Sequence, residues 1–142
     1  MPFFLHSGVY LTRHCPGCHN QETWNFNGGH EFTDETLRHI INGLTKNGIH
    51  RTLCIMGGEP LHPNNLFLTQ LIISSVKQEL PETKIYIWTG YTIEELRKSS
   101  SKALQYILST ADVLIDGPYI EAERDITLPM RGSRNQRIIP LK

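Results

Sequence analysis

What this 142-residue chain has little of narrows its function first. It holds only three cysteines, two of them close together in Cys15-Pro16-Gly17-Cys18. That is too few for the disulfide framework of a small secreted domain. No apolar run is long enough to cross a bilayer. The opening Met1-Pro2-Phe3-Phe4-Leu5-His6 has neither the basic segment nor the apolar length of a signal peptide. An excess of one charge is also missing: 14 basic residues balance 14 acidic ones, and seven histidines are scattered. Nucleic acid therefore has no electrostatic footprint to meet. There is no internal repeat, low-complexity tract or linker. These absences lead to the expectation of a single domain over residues 1–142, cytoplasmic, with neither a membrane nor a nucleic acid as partner.

What is present is ordinary for a globular α/β chain, with 39% hydrophobic and 20% charged residues. Residues 2–11 read as a short first strand and residues 12–31 as a loop, with a turn at Asn27-Gly28-Gly29. Thr33 is placed to cap a helix. Asp34 and Glu35 suit its positive end, Phe32 can staple against Leu37, and Leu37, Ile40, Ile41 and Leu44 follow at helical spacing. Gly48 stops that helix, and Thr52–Met56 reads as a buried strand. A second helix opens at Asn64 or Asn65, carries Leu68, Leu71, Ile72 and Val76, and closes at Pro81. Lys84–Trp88 is a strand. Thr92 with Glu95 forms a capping box, and a further helix covers roughly 102–109. Val113–Ile115 is the last clear strand. Strands alternating with helices imply a mainly parallel sheet, with ligands at the C-terminal strand ends. The turns at Gly57, at Thr89-Gly90 and at Asp116-Gly117 all fall there.

Three blocks carry chemistry. In Cys15-x-x-Cys18, a tight Pro16-Gly17 turn lets two thiolates grip one metal or one cluster edge. By spacing alone the pair stays open between zinc, a redox dithiol and a cluster. In Gly57-Gly58-Glu59-Pro60, glycines at a strand end let backbone approach a ligand, exposed carbonyls accept from an ammonium group, and Glu59 adds an acidic partner. A plain tight turn would look the same. The block Arg131-Gly132-Ser133-x-Asn135-Gln136-Arg137 reads, by composition, as a solvated polar tail.

Taken together and about forty residues apart, the first two blocks resemble the radical S-adenosylmethionine (SAM) superfamily. Cys15-Pro16-Gly17-Cys18-His19-Asn20-x-x-Thr23-Trp24 narrows this, with Trp88-Thr89-Gly90-Tyr91-Thr92, Asp112–Tyr119 and Arg131–Arg137. Over residues 15–142 the chain is similar to the activating proteins of anaerobic ribonucleoside-triphosphate reductase. The resemblance implies a partial (β/α) barrel of the radical SAM type, with its N-terminal part shortened here. It also implies a [4Fe-4S] cluster held by Cys15 and Cys18, and SAM bound by Gly57, Gly58, Glu59 and Pro60 with His19 and Asn20 nearby. Reductive cleavage of SAM would give a radical that takes a hydrogen from a glycine of the large reductase subunit. A flavodoxin-like or other low-potential donor would supply the electron. Arg131, Asn135, Gln136, Arg137 and Tyr119 are then expected to dock the reductase's glycine-bearing loop.

One departure stands out. The family's Cys-x3-Cys-x2-Cys spacing places Leu11 where the first cysteine belongs, and Val9 follows Ser7-Gly8. A copy with an incomplete cluster that still binds the reductase is one alternative. Ligation by His6, His14 or His19 is another. A small zinc protein is a third. Cys54 reads as a small buried hydrophobe.

Overall fold

The computed structural model describes residues 2–5 and 31–142. Four strands run parallel in chain order: β1 (Pro2–Leu5), β2 (Thr52–Ile55), β3 (Ile85–Trp88) and β4 (Val113–Asp116). A fifth, β5 (Arg137–Pro140), returns antiparallel beside β4, so the sheet order is β1-β2-β3-β4-β5. The helices between them are α1 (Asp34–Thr45), α2 (Leu66–Glu79), α3 (Ile93–Arg97) and α4 (Lys102–Thr110). Parallel neighbours in sequential order, joined by crossovers of one hand, put all helices on one face. The core agrees. Leu53, Ile55, Ile85, Ile87 and Leu114 from alternate strand positions form one cluster with Ile40, Leu44, Ile72, Ile73, Val76, Leu96 and Ile107 from the helices. The register puts Cys54, Tyr86, Trp88, Val113 and Ile115 on the opposite face. This is an α/β architecture with a mostly parallel sheet. Among the described residues the sheet does not close into a barrel.

The local signals act largely as expected. Thr33 caps α1, its hydroxyl accepting the Thr36 amide at 3.3 Å. Thr92 and Glu95 form the capping box of α3. Phe32 and Leu37 both pack on the core. Other positions differ for physical reasons. Asn65 precedes α2 but makes no side-chain cap; its amide donates instead to the Glu59 carbonyl at 2.9 Å. Leu71, expected inward, is 38% exposed, while Ile73 is fully buried. A helix that is apolar on several sides leaves its orientation to tertiary packing. Met56 and Lys84 fall outside the strands, and Asp116 falls inside β4. Of the predicted first strand, Pro2–Leu5 is strand, and residues 6–11 lie outside the described residues.

The largest correction concerns the C-terminal block, which is not a solvated tail. Ile138 and Ile139 pair with Ile115 and Leu114, Ile139 and Leu141 pack on the core, and the Leu141 amide donates to the Asp112 carbonyl at 2.8 Å. Polar composition hid a four-residue strand with two β-branched residues at its centre.

Candidate functional site

The C-terminal ends of β2, β3 and β4 meet at one end of the sheet. β2 gives way to Gly57 and Gly58, whose φ angles of 78° and 44° lie in the left-handed region. Residues with a Cβ adopt it only with strain. Both glycines are half-buried, whereas Glu59, Pro60 and Leu61 behind them are buried. Glu59 is 0% exposed. Its Oε1 accepts the Thr89 hydroxyl at 2.6 Å and the Leu61 amide at 3.1 Å, and its Oε2 accepts the Gly90 amide at 2.7 Å. The Thr69 hydroxyl donates to the Pro60 carbonyl at 2.8 Å. The acidic side chain expected to face a ligand is thus turned into the protein. The partly open part of the motif is glycine backbone, a cradle without side chains that suits a small ligand.

The end of β4 carries a second buried carboxylate, Asp116, 1% exposed. Arg137 of β5 donates Nε to its Oδ1 at 3.1 Å and Nη2 to its Oδ2 at 2.6 Å. The Ile93 amide at the start of α3 donates to Oδ2 at 2.8 Å. Arg137 also reaches Glu94 in a two-pronged pair, at 2.9 and 2.6 Å. That pairing pushes the Glu94 carboxyl down to about 2 and raises the guanidinium further above its ordinary value.

Several residues expected to meet a partner also bond within this chain. The Asn135 amide donates to the Pro118 carbonyl at 2.7 Å and accepts the Ser133 hydroxyl at 2.6 Å. Gln136 donates to the Gly117 carbonyl at 3.0 Å and accepts the amides of Gly132 and Ser133. Gly117, at φ 95°, is the pivot they hold. Tyr119 donates its hydroxyl to Glu121 at 2.6 Å, which raises its pKa. A Cβ at Gly132 would press on the Tyr119 ring at 3.2 Å. Arg131 has a buried Nε without a hydrogen-bond partner.

Thr89, Asp116 and Trp88 escaped sequence reasoning as site-shaping side chains. Trp88 donates its indole N–H to the Met130 carbonyl at 2.7 Å and so ties the β4–β5 loop to the end of β3. The signals present were their place at the ends of predicted strands and their membership of the motifs Trp88–Thr92 and Asp112–Tyr119. Cys54 is buried, and burial pushes its thiol up, as a small hydrophobe requires. Cys15, Cys18, His19 and Asn20 lie outside the described residues, as do Leu11, His6, His14 and the Asn27-Gly28-Gly29 turn. Among the described residues no group of three or more His, Cys, Asp or Glu side chains could hold a metal ion. No described helix is long and apolar enough to cross a membrane.

A mostly parallel sheet with a glycine cradle at its strand ends, in a chain that carries Cys15-x-x-Cys18, makes an α/β domain suited to a ligand at those ends. Residues 9–139 match the family described as a 4Fe-4S single cluster domain. Within that class the relatives are more particular. A Vibrio cholerae protein is 43% identical over 125 residues, 87% of this chain and 78% of its own length. A Haemophilus influenzae protein is 43% identical over 128 residues, 89% of this chain and 80% of its own. One from Enterobacteria phage T4 is 38% identical over 124 residues, 87% and 74% respectively. Each is named anaerobic ribonucleoside-triphosphate reductase-activating protein, and this chain belongs to that family. No solved structure matches it.

Proposed function

We propose that this chain activates anaerobic ribonucleotide reductase by reductive cleavage of SAM, leaving a glycyl radical on the reductase's large subunit. The observation that carries the reading is the likeness to activating proteins across nearly the whole chain, joined to a glycine cradle at the strand end where ligands of parallel sheets bind. A [4Fe-4S] cluster held by Cys15 and Cys18 would supply the one-electron reduction of SAM on which removal of hydrogen from the target glycine depends.

The chain's own residues hold and orient these groups. Cys15 and Cys18 are the proposed thiolate ligands. Gly57 and Gly58 present bare backbone to the methionine end of SAM. Glu59 and Pro60 serve from behind, as the anchored floor of that loop. His19 and Asn20 belong to the same cofactor-binding set. The sheet then forms part of a radical SAM barrel, with the face carrying Cys54, Tyr86 and Trp88 turned toward its interior. In the partner-facing role, Asn135, Gln136 and Arg137 act through the loop they shape, and Tyr119 and Arg131 are the remaining contact candidates. A low-potential, flavodoxin-like donor in the cytoplasm completes the scheme.

Iron and sulfide analysis after anaerobic reconstitution tests the reading. Four irons per chain, and a glycyl radical signal by electron paramagnetic resonance once SAM, reductant and reductase are added, are expected. A single zinc, or four irons with no glycyl radical, would refute it.

A further inference from the structure

Two successive glycines are the softest stretch of a backbone, because no side chain packs to hold them. The geometry of Gly57-Gly58 is therefore set by the fixed points on either side. β2 is one. Glu59 is the other, and it is anchored from two directions. From the α2 side, Asn65 donates to the Glu59 carbonyl at 2.9 Å and Thr69 to the Pro60 carbonyl at 2.8 Å. From the β3 side, the Thr89 hydroxyl donates to Oε1 at 2.6 Å, with the Gly90 amide on Oε2 at 2.7 Å.

Thr89 does more than donate. Its hydroxyl accepts the Tyr91 amide at 3.2 Å, its own amide donates to the Ile115 carbonyl at 2.9 Å, and the Tyr91 carbonyl accepts the Gly117 amide at 2.9 Å. The hydroxyl of buried Thr89 thus links the glycine cradle after β2 to the loop after β3, which is itself bonded to the end of β4. Valine would meet every steric demand of this position. What it lacks is the O–H, which both donates and accepts here. A buried hydrogen bond to a carboxylate is of the charge-assisted, short class whose loss is felt most.

We infer that Thr89 is a positioning residue for SAM: it fixes the Glu59 carboxylate, and through it the Gly57-Gly58 backbone against which the methionine end of SAM rests. The inference stands on the reading of Gly57–Pro60 as the SAM loop given above.

Calorimetric titration of SAM into anaerobically reconstituted protein tests it, with iron content and thermal midpoint measured in parallel. Thr89→Val should weaken SAM binding about tenfold, equivalent to about 1.4 kcal/mol, while Thr89→Ser stays within about twofold of the parent. Iron content should be unchanged in both, and in turnover KM for SAM should rise by a larger factor than kcat falls. Parental affinity in Thr89→Val, or a Thr89→Ser as weak as Thr89→Val, would overturn the inference, whatever the thermal midpoints. If Thr89→Val does not fold, Thr89→Cys, similar in shape and a weak donor, replaces it, and parental affinity there is equally fatal. Failure of the unmodified protein to bind SAM would instead bring down the SAM-loop reading itself, and the inference with it.

Discussion

Two buried carboxylates stand at the same end of the sheet and are held in different ways. Glu59, at the end of β2, is gripped by a hydroxyl and by backbone amides from the neighbouring loops. Asp116, at the end of β4, is gripped by a guanidinium from the next strand, which leans in turn on Glu94 at the surface. The first arrangement supports backbone that stays partly open, and so fits a ligand-facing loop. The second fastens the edge of the sheet and orders the chain beyond it. The lesson is that a buried charge near a strand end reads as a site or as a rivet according to what its grip leaves uncovered.

The comparison breaks most decisively at Asp116. Asp116→Ala leaves the buried Ile93 amide without its acceptor and Arg137 with Glu94 alone, and should cost about 2 kcal/mol in denaturant melts. A loss below about 1 kcal/mol would place Asp116 among ordinary surface acids. The matching change on the ligand side is Gly57→Val, which forces a branched residue to φ 78°. It should weaken SAM binding tenfold or more, about 1.4 kcal/mol at least, with the fold retained. Undiminished affinity by calorimetry would remove Gly57 from the site. Next comes Asn135→Ala, which unties the Pro118 carbonyl and the Ser133 hydroxyl. About 1 kcal/mol of stability should be lost. Glycyl radical yield should fall while SAM cleavage without reductase persists, and a full yield would deny the loop any part in docking.

The smallest effect is in the pH dependence of the Arg137–Glu94 pair. Glu94 is held at about 2 instead of 4.5, so its stabilising contribution is complete above 4.5 and is lost as pH falls toward 2. Thermal midpoints taken from pH 6 to pH 3 should drop less steeply in Glu94→Gln than in the parent. Identical slopes would mean that the exposed pair adds nothing.

How much of this was legible in the chain follows from distance along it. The caps at Thr33 and Thr92 are local, each written within four residues, and both were readable. So was the glycine cradle, because Gly-Gly after a short apolar run is itself a local signal. The grip on Glu59 could not be read, because it comes from Thr89 and Gly90, thirty residues on, which no spacing rule announces. The bonds that Asn135 and Gln136 make within the chain were hidden for the same reason. Their acceptors, the Pro118 and Gly117 carbonyls, are near them only once β5 has turned back. β5 itself was missed because arginine and proline bracket its two isoleucines.

Those brackets matter beyond folding. β5 forms a rim of the described sheet, where a strand's free backbone groups can template pairing with another molecule. Its two ends are exposed Arg137 and exposed Pro140. Proline has no N–H to offer an incoming strand. One of the residues that disguised β5 as a tail thereby leaves a gap in the donors along this rim, so that Pro140→Val should keep the fold but make concentrated solutions more prone to strand-to-strand assembly by light scattering.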